Sequence, residues 1–156
     1  MEELALHVLD IMQNSLEAGA SFIEVVIRED RRKDILSIEV VDNGRGMDEE
    51  EVKKALDPFW TTRTTRRVGF GLPLFKAITE HCNGEFSLQS EPGRGTKVSA
   101  VMQWSHPDRP PLGDMASTIS VFLAGARRLD LAYVHEIDGR TFVLETGYLR
   151  KLLGDV

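Results

Sequence analysis

The chain has one cysteine, Cys82, so it cannot form an internal disulfide. That residue lies in His81-Cys82-Asn83-Gly84, where Asn-Gly marks a helix stop, and it reads as a buried, unreactive thiol rather than a metal ligand. Basic residues are too few for an electrostatic grip on polyanions. Lys and Arg number 19 against 25 Asp and Glu, and 19 − 25 gives a net charge of −6. This disfavours nucleic acid and anionic membrane surfaces as partners. No apolar run approaches the length of a membrane span, and the N-terminus lacks the charged-then-apolar pattern of a leader, so a cytoplasmic location is expected. Internal repeats and low-complexity tracts are absent as well. What remains is 156 residues, 42% hydrophobic and 28% charged, enough for one compact domain with a small appendage.

Apolar spacing predicts a helix over residues 3–18, with Leu4, Val8, Ile11, Met12 and Leu16 on one stripe and His7, Asp10, Asn14 and Glu17 on a second, polar one. Gly19 ends it. Phe22–Arg28 and Ile35–Val41 read as strands joined by a charged, solvated turn, Glu29–Asp34. The run Asp48-Glu49-Glu50-Glu51 favours a helix start through the dipole. Residues 58–71 lack periodicity and read as a mobile loop; Leu72–Cys82 is helical, with Pro73 tolerated in its first turn. Glu85–Gln89 and Lys97–Gln103 are strands around the turn Glu91-Pro92-Gly93-Arg94-Gly95. Pro-rich residues 105–111 form a linker. Beyond it, Met115, Ile119, Phe122, Leu123 and Ala126 have helical spacing, Asp138-Gly139 is a hairpin turn, and Thr146 caps a last helix through Leu153.

Chemistry concentrates in three segments. Asp42 continues the parity of Leu36, Ile38 and Val40 just past a strand end, so its carboxylate faces the core side and needs a donor partner. The exocyclic amine of adenine is such a donor, whereas guanine offers an acceptor there. Gly44 and Gly46 let the backbone approach a flat base; Asp-Asn-Gly is equally a plain turn signal. Asp10 and Asn14, four apart, share a helix face. An Asn carbonyl oxygen suits Mg²⁺, and Asp10 can orient or deprotonate a water or hydroxyl; the alternative is a solvated stripe. Gly69-Phe70-Gly71 precedes a helix, whose first N–H groups favour phosphate. The segment follows no strand and the chain has no G-x-x-x-x-G-K-[ST], so neither a dinucleotide-binding nor a P-loop pattern applies. Arg63, Arg66 and Arg67 make the preceding loop either a phosphate-covering lid or simply solvated. The Thr96 hydroxyl, at a strand start, can reach a base or its water, or simply satisfy its own turn.

These residues resemble the ATPase domain shared by histidine kinases, anti-sigma-factor kinases, DNA gyrase B, the MutL repair protein and the heat-shock chaperone ATPases. Asp10–Ala20 (DIMQNSLEAGA) is similar to the family's N box, especially that of MutL. Asp42–Met47 (DNGRGM) resembles the first glycine box, Pro58–Thr62 (PFWTT) the phenylalanine box of histidine kinases, Gly69–Leu72 (GFGL) the second glycine box, and Gly95-Thr96 the terminal Gly-Thr. The likeness covers about residues 3–103.

The resemblance implies an α+β fold: a two-layer α/β sandwich (the Bergerat fold) with a mixed, mostly antiparallel sheet; the residue spacing beyond the linker adds a small C-terminal αββα module. By position it implies ATP and Mg²⁺ as cofactors. Asn14 would serve as metal ligand, Asp42 on the adenine amine, Asp10 as catalytic base, and Gly44, Gly46, Met47, Thr62, Arg63, Gly69, Gly71, Leu72 and Thr96 around the nucleotide. The family's hydrolysing members carry Glu where this chain has the shorter Asp10. The paired helices that bear the phospho-accepting His of a histidine kinase are expected to be absent, and His7 is poorly placed to replace it. The division expected is an ATP-binding domain over 1–104, a linker over 105–111, and a module over 112–156 for recognition or dimerisation. The function expected is ATP-Mg²⁺ binding by a stand-alone domain acting on an unidentified protein, as a signalling kinase or anti-sigma-type regulator. A conformational switch with slow or no turnover is the alternative. The partner would be a phospho-acceptor or a regulated factor, with a homodimer also open.

Overall fold

Helix α1 spans Leu4–Glu17 in the computed structural model, which describes residues 3–59, 71–126 and 128–147. Its N-cap, Glu3, makes no side-chain capping bond. The N–H groups of Leu4 and Ala5 instead donate to the carbonyls of Pro111 and Leu112, at 2.9 and 2.8 Å, so the linker caps the first helix. Leu4, Val8, Ile11 and Met12 are buried as the spacing requires. The stripe then continues through Ser15, which is 2% exposed, rather than Leu16, which is 38% exposed. His7 leaves the polar stripe altogether: it is 1% exposed and its ring stacks on Phe75, 5.5 Å between centroids.

Strands β1 (Phe22–Asp30) and β2 (Ile35–Asp42) pair antiparallel. Their turn is more than solvated charge. Asp34, at φ 58°, accepts bonds from Gln103 Nε2, Ser105 N and Ser105 Oγ, which hold its carboxyl below the usual range. Helix α2 (Glu49–Ala55) begins at an N-cap Asp48, whose side chain and that of Glu51 cap each other's backbone N–H reciprocally. Helix α3 (Gly71–His81) stops where Asn83 enters the left-handed region at φ 59°. Strands β3 (Glu85–Glu91) and β4 (Gly95–Gln103) form a hairpin. Helix α4 (Met115–Gly125) is capped by Asp114, whose carboxylate accepts from Ser117 N. Strands β5 (Asp130–Ile137) and β6 (Arg140–Glu145) meet at Asp138-Gly139, both at positive φ, as a two-residue hairpin turn needs. The closing helix expected through Leu153 falls mostly outside the described residues.

Among the described residues the strands form one six-stranded mixed sheet in the order β3-β4-β2-β1-β5-β6. All neighbours are antiparallel except β1 and β5, which run parallel. One face carries Ile23, Val25 and Ile27 of β1, Leu36, Ile38 and Val40 of β2, Val98, Ala100 and Met102 of β4, and Leu131 and Tyr133 of β5. The helices cover this face, with α1 between α3 and α4, giving the α+β sandwich. Met115, Ile119 and Phe122 beyond the linker share that core with Leu4, Val8 and Phe75 of the first hundred residues. At the sheet end where β1 finishes, Glu29 accepts from the Trp104 indole at 3.0 Å and bonds His135 Nε2 at 2.7 Å, and His135 Nδ1 bonds the Tyr133 hydroxyl at 2.9 Å. Burial, then the Glu29 charge, pushes the Tyr133 hydroxyl up to about 12. Among the described residues no helix is long and apolar enough to cross a membrane.

Candidate functional site

Asp42 ends β2 at the opposite end of the sheet from Glu29, and its side chain lies on the helix-covered face. It is buried at 9% exposure. Two donors hold it: Ser15 Oγ of α1 bonds Oδ2 at 2.6 Å, and Gly44 N bonds Oδ1 at 2.8 Å. Each oxygen keeps a further lone pair for an outside donor. Thr96 of β4 is Asp42's direct cross-strand partner, so the two side chains share a face and a level of the sheet.

The loop after Asp42 is fixed from three sides. Arg45 N donates to Ala18 O at 2.9 Å, Gly93 N donates to Arg45 O at 2.6 Å, and Met47 N donates to Ser90 Oγ at 2.8 Å. Asn43 turns away from the cavity: its amide oxygen accepts from Ser21 N and Phe22 N and its amide nitrogen donates to Ser21 Oγ, closing the α1–β1 connection. Gly46 sits at φ 73°, where an added Cβ would run into the Glu91 carbonyl. A Cβ on Gly44 would meet Ala18 O at 2.9 Å and Asp42 Oδ1 at 3.1 Å. Both glycines therefore serve close backbone packing of this loop on its neighbours.

Between α1, this loop, α2 and the start of α3 lies a cavity of about 210 Å³. Its lining brings together Asn14, Asp42, Gly46, Met47, Leu72 and Thr96 from the residues singled out in the sequence. Ile11, Ala55 and Val98 give it apolar walls. A volume of this size holds a flat ring, and a larger ligand would extend out of it. Gly71, the first residue of α3, faces Asp10: a Cβ there would meet Asp10 Cβ at 3.0 Å and Oδ2 at 3.3 Å. Asp10 is half-buried at the α1–α3 junction, just off the cavity. Thr62, Arg63 and Gly69, with Arg66 and Arg67, lie outside the described residues.

Ser15 and Ser90 belong to the site but are not among the residues singled out by motif. Ser15 was detectable as a hydroxyl interrupting the stripe Leu4, Val8, Ile11 at helical spacing. Ser90 follows from counting outward from the Glu91–Gly95 turn, which pairs it with Thr96.

The sequence pattern described as "Histidine kinase-, DNA gyrase B-, and HSP90-like ATPase" matches residues 2–106. Among similar proteins, the sensor protein DegM of Bacillus sp. (strain B21-2) is 36% identical over 90 residues, 58% of this chain and 24% of that protein. The sensor protein kinase FleS of Pseudomonas aeruginosa is 35% identical over 95 residues, 61% of this chain and 23% of that one. Sporulation kinase C of Bacillus subtilis is 31% identical over 94 residues, 60% of this chain and 22% of that one. The chain thus spans about a quarter of the length of these relatives.

Proposed function

The chain belongs to the histidine kinase-, DNA gyrase B- and HSP90-like ATPase family, and on that premise we propose that it binds ATP with Mg²⁺ beside Asp42 and acts on a partner protein, as a signalling kinase or anti-sigma-type regulator. The observation that carries this reading is the buried Asp42 carboxylate, held by Ser15 and Gly44 with acceptor capacity still facing the cavity. A purine with an exocyclic amine satisfies it; a purine with a keto oxygen at that position meets two acceptors face to face. The apolar walls of Ile11, Ala55 and Val98 suit the faces of the ring.

Asn14 lines the same cavity, and its amide oxygen is the ligand type Mg²⁺ takes alongside waters. Bound Mg²⁺ would supply neutralisation of phosphate charge. Asp10 stands at the start of α3, where backbone N–H groups and the helix dipole favour phosphate. From there its carboxylate would orient or deprotonate an attacking water or a partner's hydroxyl. The kinase direction is supported by the similar proteins, two of which are called kinases.

The test is incubation with ATP labelled at the γ-phosphate, alone and with cell lysate. Label on a second protein supports the kinase reading. Label released only as free phosphate, or not released from bound ATP, favours the conformational switch. Absence of ATP binding overturns both.

A further inference from the structure

Ser90 lies behind the cavity wall, in the groove beyond β4, and three bonds meet at its hydroxyl. Met47 N donates to Ser90 Oγ at 2.8 Å, Ser90 Oγ donates to Gly95 O at 2.9 Å, and Ser90 Oγ and Thr96 Oγ1 are 2.8 Å apart. A hydroxyl has one proton and two lone pairs. The Gly95 carbonyl can only accept, so the Ser90 proton goes there, and Met47 N–H takes one lone pair. Thr96 must then be the donor in the third bond. Its single proton is directed at Ser90, away from the cavity, and what it presents inward is a lone pair.

The same inventory applies to Ser15, whose proton is committed to Asp42. Ser90, Thr96 and Asp42 stand at one level across β3, β4 and β2. At that level the cavity floor presents acceptors alone. We infer that Ser90, without touching the ligand, sets Thr96 as a hydrogen-bond acceptor and so acts as a positioning residue that selects an amine-bearing purine over a keto-bearing one. This rests on the ATP reading of the cavity. Without Ser90 the Thr96 hydroxyl can rotate its proton inward and offer a donor to a keto oxygen.

The experiment measures dissociation constants of ATP and of inosine triphosphate, which replaces the amine by a keto group at the same carbon. The proteins are the full chain, Ser90→Ala, Ser90→Thr, Thr96→Val and the Ser90→Ala/Thr96→Val double variant, each checked by circular dichroism. Ser90→Ala is expected to lower the ATP preference about tenfold, the size of one hydrogen bond. Ser90→Thr keeps the hydroxyl and restores the preference. Adding Ser90→Ala to Thr96→Val changes the preference no further, because the effect passes through Thr96. Equal weakening of both nucleotides in Ser90→Ala, from the lost Met47 bond, overturns the inference. So does an undiminished further loss of preference in the double variant. A wild-type chain that binds neither nucleotide overturns the ATP reading itself, and this inference with it.

Discussion

The Ser15 hydroxyl reaches Asp42 across 2.6 Å from the buried side of α1, so the helix that carries Asp10 and Asn14 also orients the carboxylate on β2. Ser15→Ala removes a bond to a charged group in a buried site. It is expected to weaken ATP binding by roughly 1.5–3 kcal/mol with the fold retained, read by calorimetry and circular dichroism. Unchanged affinity would show that Gly44 N holds the carboxylate unaided.

Asp42→Asn swaps one acceptor oxygen for an NH₂ donor facing the ligand amine. The expected cost is roughly 2–4 kcal/mol of ATP affinity, with the ATP-over-GTP preference lost. Full ATP binding by this variant, or equal affinity of the wild type for both nucleotides, would remove Asp42 from base recognition.

Asp10→Asn and Asn14→Ala should part company. The first is expected to leave affinity nearly intact and abolish turnover, since a base is lost and the metal ligand kept. The second should weaken Mg²⁺-dependent binding itself. Gly71→Ala crowds Asp10 at 3.0 Å and is expected to behave like Asp10→Asn. Wild-type turnover in both Asp10→Asn and Gly71→Ala would place the chemistry elsewhere.

Two titrations check the core. Burial, with Asp108 adding to it, raises the Cys82 thiol above its ordinary value, so in the native chain it should react with alkylating reagents only on unfolding. Rapid labelling of the folded chain would contradict its burial. Tyr133 is neutral in both states below 10.0, and its folded value is raised to about 12. Its contribution to stability is thus complete below pH 10 and lost as pH climbs towards about 12. Denaturation midpoints measured across that window should fall; in Tyr133→Phe they should fall less.

The sequence revealed most where the signal is local. The acidic run Asp48–Glu51 announces a helix start, Asn83-Gly84 a helix stop, and Asp138-Gly139 a two-residue turn, because each depends on backbone chemistry within a few residues. The period of α1 is clear in the sequence, yet residue type favours Leu16 for the buried stripe that Ser15 occupies. Hydrophobicity alone does not separate adjacent positions that the helix turns apart by about 100°. His7 belongs by spacing to the polar stripe but is packed on Phe75 of α3, a contact no local rule contains. The cavity residues Asn14, Asp42, Gly46, Met47, Leu72 and Thr96 were found through ordered motifs; their convergence in one cavity is long-range information. The parallel pairing of β5 with β1 joins residues more than a hundred apart, and nothing in either segment specifies it. A chain ending at Trp104 would expose β1 as an edge and uncap α1. Its unfolding on removal of residues 105–156 is the outcome the sheet order favours, and thermal denaturation of that truncation decides.

The bonds from Leu4 and Ala5 to Pro111 and Leu112 also impose a schedule on synthesis. Helix α1 stays without its cap until more than a hundred further residues have left the ribosome, and β1 waits longer still for β5. The emerging N-terminal portion carries every residue of the cavity but lacks the chain that steadies the helix beneath it. The cavity is therefore steadied only once residues beyond 111 have emerged, rather than in step with the motifs. Slow closure of such distant contacts makes the docking of β5 on β1 a late event in folding, although the hairpin β5–β6 is itself local.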